Sequence, residues 1–274
     1  MSASPPIVLS FAASDPTGGA GLQADILTLA NLGCHPATVV TALTVQDTSG
    51  VESLLAIEPE WIAKQARCLL DDMPVAAFKL GVLGSARNAK AVSSVLAAHP
   101  RVPVVLDPVL ASGRGDPLAD DETVHAMRAA LLPRTTVLTP NSLEARRIAG
   151  AGPDATLADC ARELVALGCR HVLVTGTHEP GKQVVNTLFG AQGVVREDRW
   201  DRLAGSYHGS GCTLASALAA FLARGLSVPE AAREAQDYTW RSLVAGFRPG
   251  RGQYLPNRFF GSHCEAARSL RDHA

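Results

Sequence analysis

The 274-residue sequence has few aromatic residues, little net charge and no long hydrophobic run. Aromatic residues make up 5% of it, which leaves little for the stacking platforms that bind single-stranded nucleic acids. The formal net charge of −1 excludes the broad basic face of a nucleic-acid or membrane-surface protein. No apolar run reaches the roughly 18 residues of a membrane span, and residues 1–6 show no signal-peptide pattern. We therefore expect a cytoplasmic protein without nucleic-acid or membrane partners.

The cysteines also lack a pattern, because they form no CxxC pair and are not dense enough for a secreted disulfide framework. They are Cys34, Cys68, Cys160, Cys169, Cys212 and Cys264. Reduced thiols are expected. A hydrophobic content of 47% suits a globular protein with a large core. No linker or repeat divides the chain, so we predict one domain over residues 1–274, with residues 1–6 and about 248–274 peripheral.

Apolar runs alternate with helical patterns along the chain. The runs predict strands at 7–12, 37–43, 75–83, 102–106, 136–139 and 171–175, and a hairpin at 184–188 and 193–196. The helical patterns predict helices at 22–32, 58–70, 88–98, 121–132, 143–149, 156–167, 209–225 and 227–244. This alternation predicts an α/β fold with a mainly parallel, doubly wound sheet flanked by helices. Ligands bind such sheets at the carboxyl ends of the strands, where polar residues stand at Asp15, Gln46, Asp107, Asn141 and Thr175.

The stretch HGSGCT at residues 208–213 leads directly into an apolar helical pattern. Glycine N–H groups and the positive end of a helix dipole together favour an anion. Cys212 falls in the first helical turn, where the pKa of a thiol tends to be lowered. The alternative is a plain turn before a core helix, with Cys212 as a small buried hydrophobic residue.

Residues 19–24, GAGLQA, match the dinucleotide fingerprint G-x-G-x-x-A after a first strand. The match is weak, because the turn is long and no acidic residue closes the second strand. The alternative is that these glycines permit close packing of helix and strand.

Asn141 and Glu144 lie three residues apart at a strand-to-helix turn, which puts both on one face. Their oxygens suit Mg²⁺ and its waters, but a simple helix cap would use the same residues. Asp107 directly follows a buried strand. Its carboxylate either faces the ligand crevice or caps the next loop. Lys79 lies in an apolar strand, so we expect its ammonium group to reach solvent at the strand end, and His208 is expected to satisfy the turn.

Six ordered blocks resemble the hydroxymethylpyrimidine/phosphomethylpyrimidine kinase family of thiamin biosynthesis, which has the ribokinase-like fold. They are SDPTGGAGLQAD (14–25), TALTVQ (41–46), KLGVL (79–83), DPV (107–109), TPN with Glu144 (139–144) and HGSGCT (208–213). The resemblance spans residues 7 to about 245. It implies phosphorylation of hydroxymethylpyrimidine and then of its monophosphate, with ATP and Mg²⁺, in a possible homodimer.

The resemblance also implies roles for individual residues. Gln46 would bind the aminopyrimidine, and the other substrate-binding residues would be Ala13, Asp15, Ala20, Val82 and Val109. Glu144 and Asp107 would serve the metal ion. The ATP phosphates would be bound by Asn141, Thr175, Thr177 and His178. The catalytic group would be an anion hole with a proton acceptor, formed by Gly209, Ser210, Gly211 and Cys212.

The sequence departs from the family pattern at three of these places. Ala13 replaces a glycine, Val82 replaces a methionine, and Thr175 stands where the family has a lysine. Two other functions therefore stay open. One is a pyridoxal kinase on the same scaffold, since both substrates are flat heteroaromatic rings with a hydroxymethyl arm. The other is a catalytically weak protein that binds or senses a pyrimidine.

Overall fold

The computed structural model describes residues 4–261, and in this part of the chain strands and helices alternate as expected. The strands are β1 (Ile7–Ser14), β2 (His35–Gln46), β3 (Val51–Ala56), β4 (Val75–Leu80), β5 (Val104–Leu106), β6 (Val137–Leu138), β7 (His171–Thr175), β8 (Gln183–Gly190) and β9 (Gly193–Asp201). The helices are α1 (Gly21–Asn31), α2 (Pro59–Asp72), α3 (Ala86–Ala97), α4 (Asp121–Ala126), α5 (Ser142–Ala149), α6 (Leu157–Ala166), α7 (Ser210–Ala223) and α8 (Val228–Val244).

The strands form one mixed sheet in the order β3-β2-β1-β4-β5-β6-β7-β8-β9. Neighbouring strands from β2 to β7 are parallel, whereas β3 and the β8–β9 hairpin are antiparallel additions at the two edges. Because the six central strands run in one direction, their carboxyl ends all meet at the same edge. The predicted doubly wound, mainly parallel sheet is confirmed.

Alternate residues of the strands point to two separate hydrophobic cores. Leu9 and Phe11 of β1 pack on the face covered by α2, α3, α4 and α6, whereas Val8 packs on the opposite face. That second face is covered by α1, α7 and α8, with Leu218 of α7 and Tyr238 of α8 in its core. Layers on both sides fix the sheet, so the loops at its carboxyl edge are carried on a rigid base.

Two elements differ from the expectations. The edge strand β3 was not predicted, because none of its residues is buried and so no apolar buried run marks it. The predicted helix at 121–132 is regular only to Ala126 and continues as a π-helical turn (Met127–Leu131) and a 3₁₀ turn (Leu132–Arg134). Pro133 cannot donate a backbone hydrogen bond, which ends the helix there.

The expectation of a peripheral tail from about residue 248 is wrong for its first part. Leu255 and Arg258 are buried, and the N–H of His208 donates to the carbonyl of Tyr254 at 2.9 Å. The segment 247–258 therefore packs against the site region. Residues 262–274, and with them Cys264, lie outside the described residues.

The described cysteines, Cys34, Cys68, Cys160, Cys169 and Cys212, are all free thiols, in line with the expected reduced state. No helix within residues 4–261 is long and apolar enough to cross a membrane.

Candidate active site

The first glycine turn, residues 15–20, is folded around the carboxylate of Asp15. Its Oδ1 accepts the N–H of Thr17 at 2.8 Å, and its Oδ2 accepts the N–H of Ala20 at 2.7 Å. The same Oδ2 lies 2.8 Å from Nε2 of His208, which satisfies the turn as expected. Burial alone would raise the pKa of Asp15, but its hydrogen bonds and His208 hold it well below its usual range. Asp15 therefore shapes the turn, and its contact with a substrate stays a prediction.

The second glycine turn, residues 208–211, packs directly against the first. Gly209 has a φ of +79°, and a Cβ atom there would overlap the carbonyl group of Gly19. Gly21 has a φ of +58°, and a Cβ atom there would overlap the carbonyl oxygen of Ala13. Glycine is required at both positions. The G-x-G-x-x-A match thus reflects close packing, which was the alternative to a dinucleotide site.

Helix α7 begins beside these turns without a side-chain cap from Gly209. The N–H and the hydroxyl of Thr213 both donate to the carbonyl of Gly209, at 3.0 and 2.8 Å. The N–H groups that precede Thr213 belong to the first turn, which has no acceptors inside its own helix. Together with the helix dipole they form an anion cradle, which we define as residues 209–212.

Cys212 lies in this cradle but is buried, with only 8% of its surface exposed. Burial raises the pKa of its thiol to about 12, while the nearby Lys79 acts in the opposite direction. The expectation that the helix start lowers this pKa is therefore wrong. The cost of burying a thiolate outweighs the favourable dipole and cation, so the thiol is neutral at physiological pH.

Lys79 does not extend to solvent, and that expectation is also wrong. Its ammonium group lies 2.8 Å from Oδ1 of Asp25, and neither side chain is exposed. The same Oδ1 accepts the hydroxyl of Ser216 at 2.7 Å. This buried triad joins β4, α1 and α7. The coulombic attraction of Asp25 raises the pKa of Lys79 despite its burial, so the lysine stays charged.

Asp107 and Glu144 form a pair of carboxylates at the carboxyl ends of β5 and β6. Burial raises the pKa of Asp107 to about 6, and burial together with the charge of Asp107 raises that of Glu144 to about 8. The Oδ2 atom of Asp107 is buried without a hydrogen-bond partner among the described residues. Two partly desolvated carboxylates with a spare oxygen fit a hard cation such as Mg²⁺.

Asn141 and Glu144 form the capping box of α5, so the simpler interpretation holds for their local geometry. Oδ1 of Asn141 accepts the N–H groups of Leu143 and Glu144, and Oε2 of Glu144 accepts the N–H of Asn141 at 2.9 Å. Within residues 4–261 no group of three or more His, Cys, Asp or Glu residues could hold a metal ion by itself. A cation here would therefore need ligands from a phosphate or water, which is how Mg²⁺ is commonly bound.

A single cleft of about 800 Å³ at the carboxyl edge of the sheet contains every predicted site residue. These are Ala13, Asp15, Ala20, Gln46, Val82, Asp107, Val109, Asn141, Glu144, Thr175, Thr177, His178, Gly209, Ser210, Gly211 and Cys212. The amide of Gln46 makes no hydrogen bond to a described residue, so it is available to a ligand. The structure thus brings the predicted residues together, while their individual roles stay predictions.

The other end of the cleft contains polar residues that the sequence did not reveal. Gln236 of α8 accepts hydrogen bonds from Asn186 and Trp200, both at 3.0 Å, and donates to Asp198 at 2.9 Å. Arg202 donates to three backbone carbonyl groups of the loop at residues 177–181. These contacts join β8, β9 and α8 beside the predicted phosphate-binding loop. Their residues are far apart in sequence, and no motif links them.

Arg258 is a further residue that the sequence analysis missed. It is 3% exposed and lies behind the two glycine turns. Its guanidinium group donates to the carbonyl groups of Gly18 and Gly19 and to the hydroxyl of Thr213. No periodicity marks the segment that carries it.

The doubly wound sheet, the uncapped helix start and the paired carboxylates define a ribokinase-like enzyme that handles a phosphorylated ligand. A family model described as phosphomethylpyrimidine kinase matches residues 15–257. The chain belongs to this family and is therefore a kinase.

Two curated relatives extend the match over most of the chain. A hydroxymethylpyrimidine/phosphomethylpyrimidine kinase of Streptomyces coelicolor is 40% identical over 254 residues, which cover 90% of this chain and 92% of the relative. The thiamine biosynthesis bifunctional protein ThiED of Geobacter sulfurreducens is 36% identical over 97% of this chain and 54% of its own length.

A solved structure confirms the ribokinase-like fold. The pyridoxal kinase of Staphylococcus aureus, in complex with AMP-PCP and pyridoxal, superposes with a TM-score of 0.83 at 28% identity. The match covers 93% of this chain and 94% of that structure.

Proposed function

We propose that this protein transfers the γ-phosphoryl group of ATP to hydroxymethylpyrimidine and then phosphorylates the monophosphate, as a step of thiamin biosynthesis. The observation that carries the proposal is the arrangement of the cleft. A free amide, a carboxylate pair and an uncapped helix start converge in it, and the family match spans all three. The named activities of the relatives support the same assignment.

The pyrimidine binds at the end of the cleft nearest β1 and β2. Gln46 pairs with the polar edge of the ring, and small or apolar side chains at Ala13, Val82 and Val109 accommodate its faces. A buried amide left without its partner costs roughly 1–3 kcal/mol, so this contact discriminates between heteroaromatic rings. The hydroxymethyl arm then extends towards Cys212.

Phosphoryl transfer depends on positioning and charge neutralisation more than on covalent help from the protein. The amide groups of the anion cradle stabilise the charge of the transferred group, each donor contributing ~10²–10³ in rate. Because the Cys212 thiol is neutral, it orients the substrate hydroxyl group by a hydrogen bond and is not its base. The hydroxyl proton passes to an oxygen of the transferred phosphoryl group as the new O–P bond forms and the bond to ADP breaks. This replaces the proton-accepting role that the sequence suggested.

Mg²⁺ would be held by Asp107 and Glu144, whose oxygens fit it, together with phosphate oxygens and water. When bound, it supplies charge neutralisation to the phosphates of ATP. Asn141, Thr175, Thr177 and His178 line the cleft on the same side and would contact those phosphates. A homodimer and a cytoplasmic location stay predictions.

A pyridoxal kinase is the second candidate, because the Staphylococcus aureus enzyme shares the fold and binds a similar flat ring. The decisive experiment measures ADP release with ATP and Mg²⁺ in parallel against hydroxymethylpyrimidine, its monophosphate and pyridoxal. We expect the highest kcat/KM with the two pyrimidines. A preference for pyridoxal would support the second candidate, and binding of pyrimidine without turnover would indicate a sensor.

A further inference from the structure

Arg258 is a buried cation beside the site, and within residues 4–261 no ion pair joins it to a carboxylate. Arg258 donates from Nη2 to the carbonyl of Gly19 at 2.5 Å, from Nη1 to that of Gly18 at 3.3 Å, and from Nε to Oγ1 of Thr213 at 3.1 Å. The first two acceptors lie in the first glycine turn, and Thr213 lies in the first part of α7. A single planar group therefore joins the first glycine turn to the first part of α7.

The position of Arg258 is fixed by its own backbone. Its carbonyl accepts the hydroxyl of Tyr238 at 2.7 Å, and the N–H of Asn257 donates to the carbonyl of Ser242 at 2.9 Å. Both anchoring groups belong to α8. The guanidinium group is thus held by a rigid helix and is not free to leave the turns.

The charge of Arg258 is not neutralised by an ion pair within the described residues. Asp15 and Asp25 are the carboxylates that act on it electrostatically, but Asp15 bonds His208 and Asp25 pairs with Lys79. Burying a charge without a counterion is costly. An anion bound in the adjacent cradle would reduce the electrostatic cost of this buried charge.

We propose that Arg258 is a positioning residue of the anion cradle, which holds the first glycine turn against the first part of α7 and places a positive charge without an ion-pair partner behind the start of that helix. The proposal rests on the proposed function, because the anion in question is the phosphoryl group in transfer. Arg258 contacts the turns and not the substrate. Its charge is nevertheless expected to favour any phosphate-like anion in the cradle.

The test compares Arg258→Gln, which removes the charge, with Arg258→Lys, which keeps the charge but cannot make all three hydrogen bonds to the first glycine turn and Thr213. Arg224→Gln is the matched control, because Arg224 is an exposed arginine at the opposite end of α7. Two measurements are made on each protein. The first is kcat and KM with the preferred substrate, and the second is the rise in melting temperature with inorganic phosphate alone.

We expect Arg258→Gln to lower kcat about 10²-fold, by analogy with the loss of one electrostatic donor, with little change in the KM for ATP. Its affinity for inorganic phosphate should fall about tenfold, which corresponds to ~1.4 kcal/mol. Arg258→Lys should retain part of the wild-type kcat and part of the phosphate affinity, and Arg224→Gln should match the wild type in both measurements. The phosphate measurement needs no organic substrate, so it separates this inference from the choice between pyrimidine and pyridoxal.

A folded Arg258→Gln protein with wild-type kcat and wild-type phosphate affinity would overturn the proposal. So would equal losses in melting temperature for both variants without a change in kcat, because that pattern indicates a purely structural role. If Arg258→Gln does not fold, the same two measurements on Arg258→Lys test the proposal. A normal circular dichroism spectrum with unchanged kcat and phosphate response would again overturn it.

Discussion

Helices α5 and α7 both begin at the cleft, but their first turns are completed in opposite ways. At α5 the side chains of Asn141 and Glu144 satisfy the free N–H groups in a closed capping box. At α7 the residue before the helix is Gly209, which has no side chain to offer. One helix start is therefore satisfied by the protein, and the other is left to a ligand.

In the proposed function, this difference would let one cleft bind a cation and an anion a short distance apart. A capped start brings a carboxylate, Glu144, into the cleft beside Asp107, and such a pair attracts a cation. An uncapped start presents N–H groups and the positive end of the dipole, which attract an anion. In the proposed function, the two helix starts would bind a metal ion and the phosphate that it accompanies.

The largest effect is expected from Gly209→Ala, which displaces the start of α7 from the first glycine turn. A Cβ atom would overlap the Gly19 carbonyl, and the φ of +79° is unfavourable for alanine. We expect kcat to fall more than ~10³-fold, as for loss of an oxyanion donor, and the unfolding free energy to fall by about 1–3 kcal/mol. Steady-state assays and urea melts measure both.

Gly225→Ala is the matched control for that variant. Gly225 follows α7 at its other end with a φ of +89°, and a Cβ atom added there would meet no neighbouring atom within 4 Å. The variant should lose roughly 1–2 kcal/mol of stability from the left-handed backbone alone and keep full activity. Equal kinetic losses in the two variants would mean that the uncapped start has no special role.

The next effect is expected from Cys212→Ala, which keeps the N–H groups of α7 and removes the orienting thiol. We expect kcat to fall about 10²-fold because a misplaced hydroxyl group reacts slowly, while the KM for ATP stays unchanged. Iodoacetamide followed by mass spectrometry tests the neutral thiol. The exposed Cys68 should be alkylated well before Cys212, and the reverse order would indicate a reactive thiolate.

A smaller effect is expected from Glu144→Gln, which can preserve the cap of α5 but cannot ionise to bind Mg²⁺. The Mg²⁺ concentration for half-maximal rate should rise about tenfold, which corresponds to ~1.4 kcal/mol of binding free energy. Glu230→Gln is the control, because Glu230 occupies the same position in the capping box of α8, where it is exposed. An unchanged Mg²⁺ requirement in Glu144→Gln would argue against a metal role for α5.

Gln46→Leu leaves both helix starts intact and so isolates the substrate end of the cleft. Without the amide, the polar edge of the pyrimidine loses its hydrogen-bond partner, which costs roughly 1–3 kcal/mol. We therefore expect the KM for hydroxymethylpyrimidine to rise at least tenfold. The KM for ATP should stay near its wild-type value. Unaltered pyrimidine affinity would remove Gln46 from the site.

A separate prediction concerns the pH dependence of stability without Mg²⁺. The pKa of Glu144 rises from 4.5 to about 8 on folding, so between these values the folded protein holds a proton that the unfolded chain has lost. The unfolding free energy should therefore decrease as pH rises through this window. Glu144→Gln should flatten the decrease in urea melts at several pH values, whereas Glu230→Gln should not.

The order of strands and helices was predictable, because the spacing of apolar residues and the residues that begin and end helices are local features of the sequence. Thr156 and Ser227 mark helix starts in the sequence, and both are observed as caps. The edge strand β3 carries no buried run, so the same signals could not find it. The cleft residues were found through strand ends and family motifs, which also follow from short segments.

What the sequence could not supply is burial and long-range pairing. A helix start predicts a lowered pKa for Cys212, but only the folded structure shows how little water reaches it. Lys79 and Asp25 are 54 residues apart, and only the tertiary fold brings the two side chains together. Arg258 meets Gly19 across 239 positions, so no local pattern could link them.

The contact between Arg258 and the first glycine turn also bears on how the protein is made. The ribosome synthesises the turn at residues 15–20 long before it reaches Arg258, because 239 positions separate Gly19 from that arginine. The nascent chain can assemble the nine strands of the sheet first, since all of them precede residue 202. The guanidinium group joins the first glycine turn to α7 only afterwards, so a chain whose translation stops before residue 258 lacks this contact.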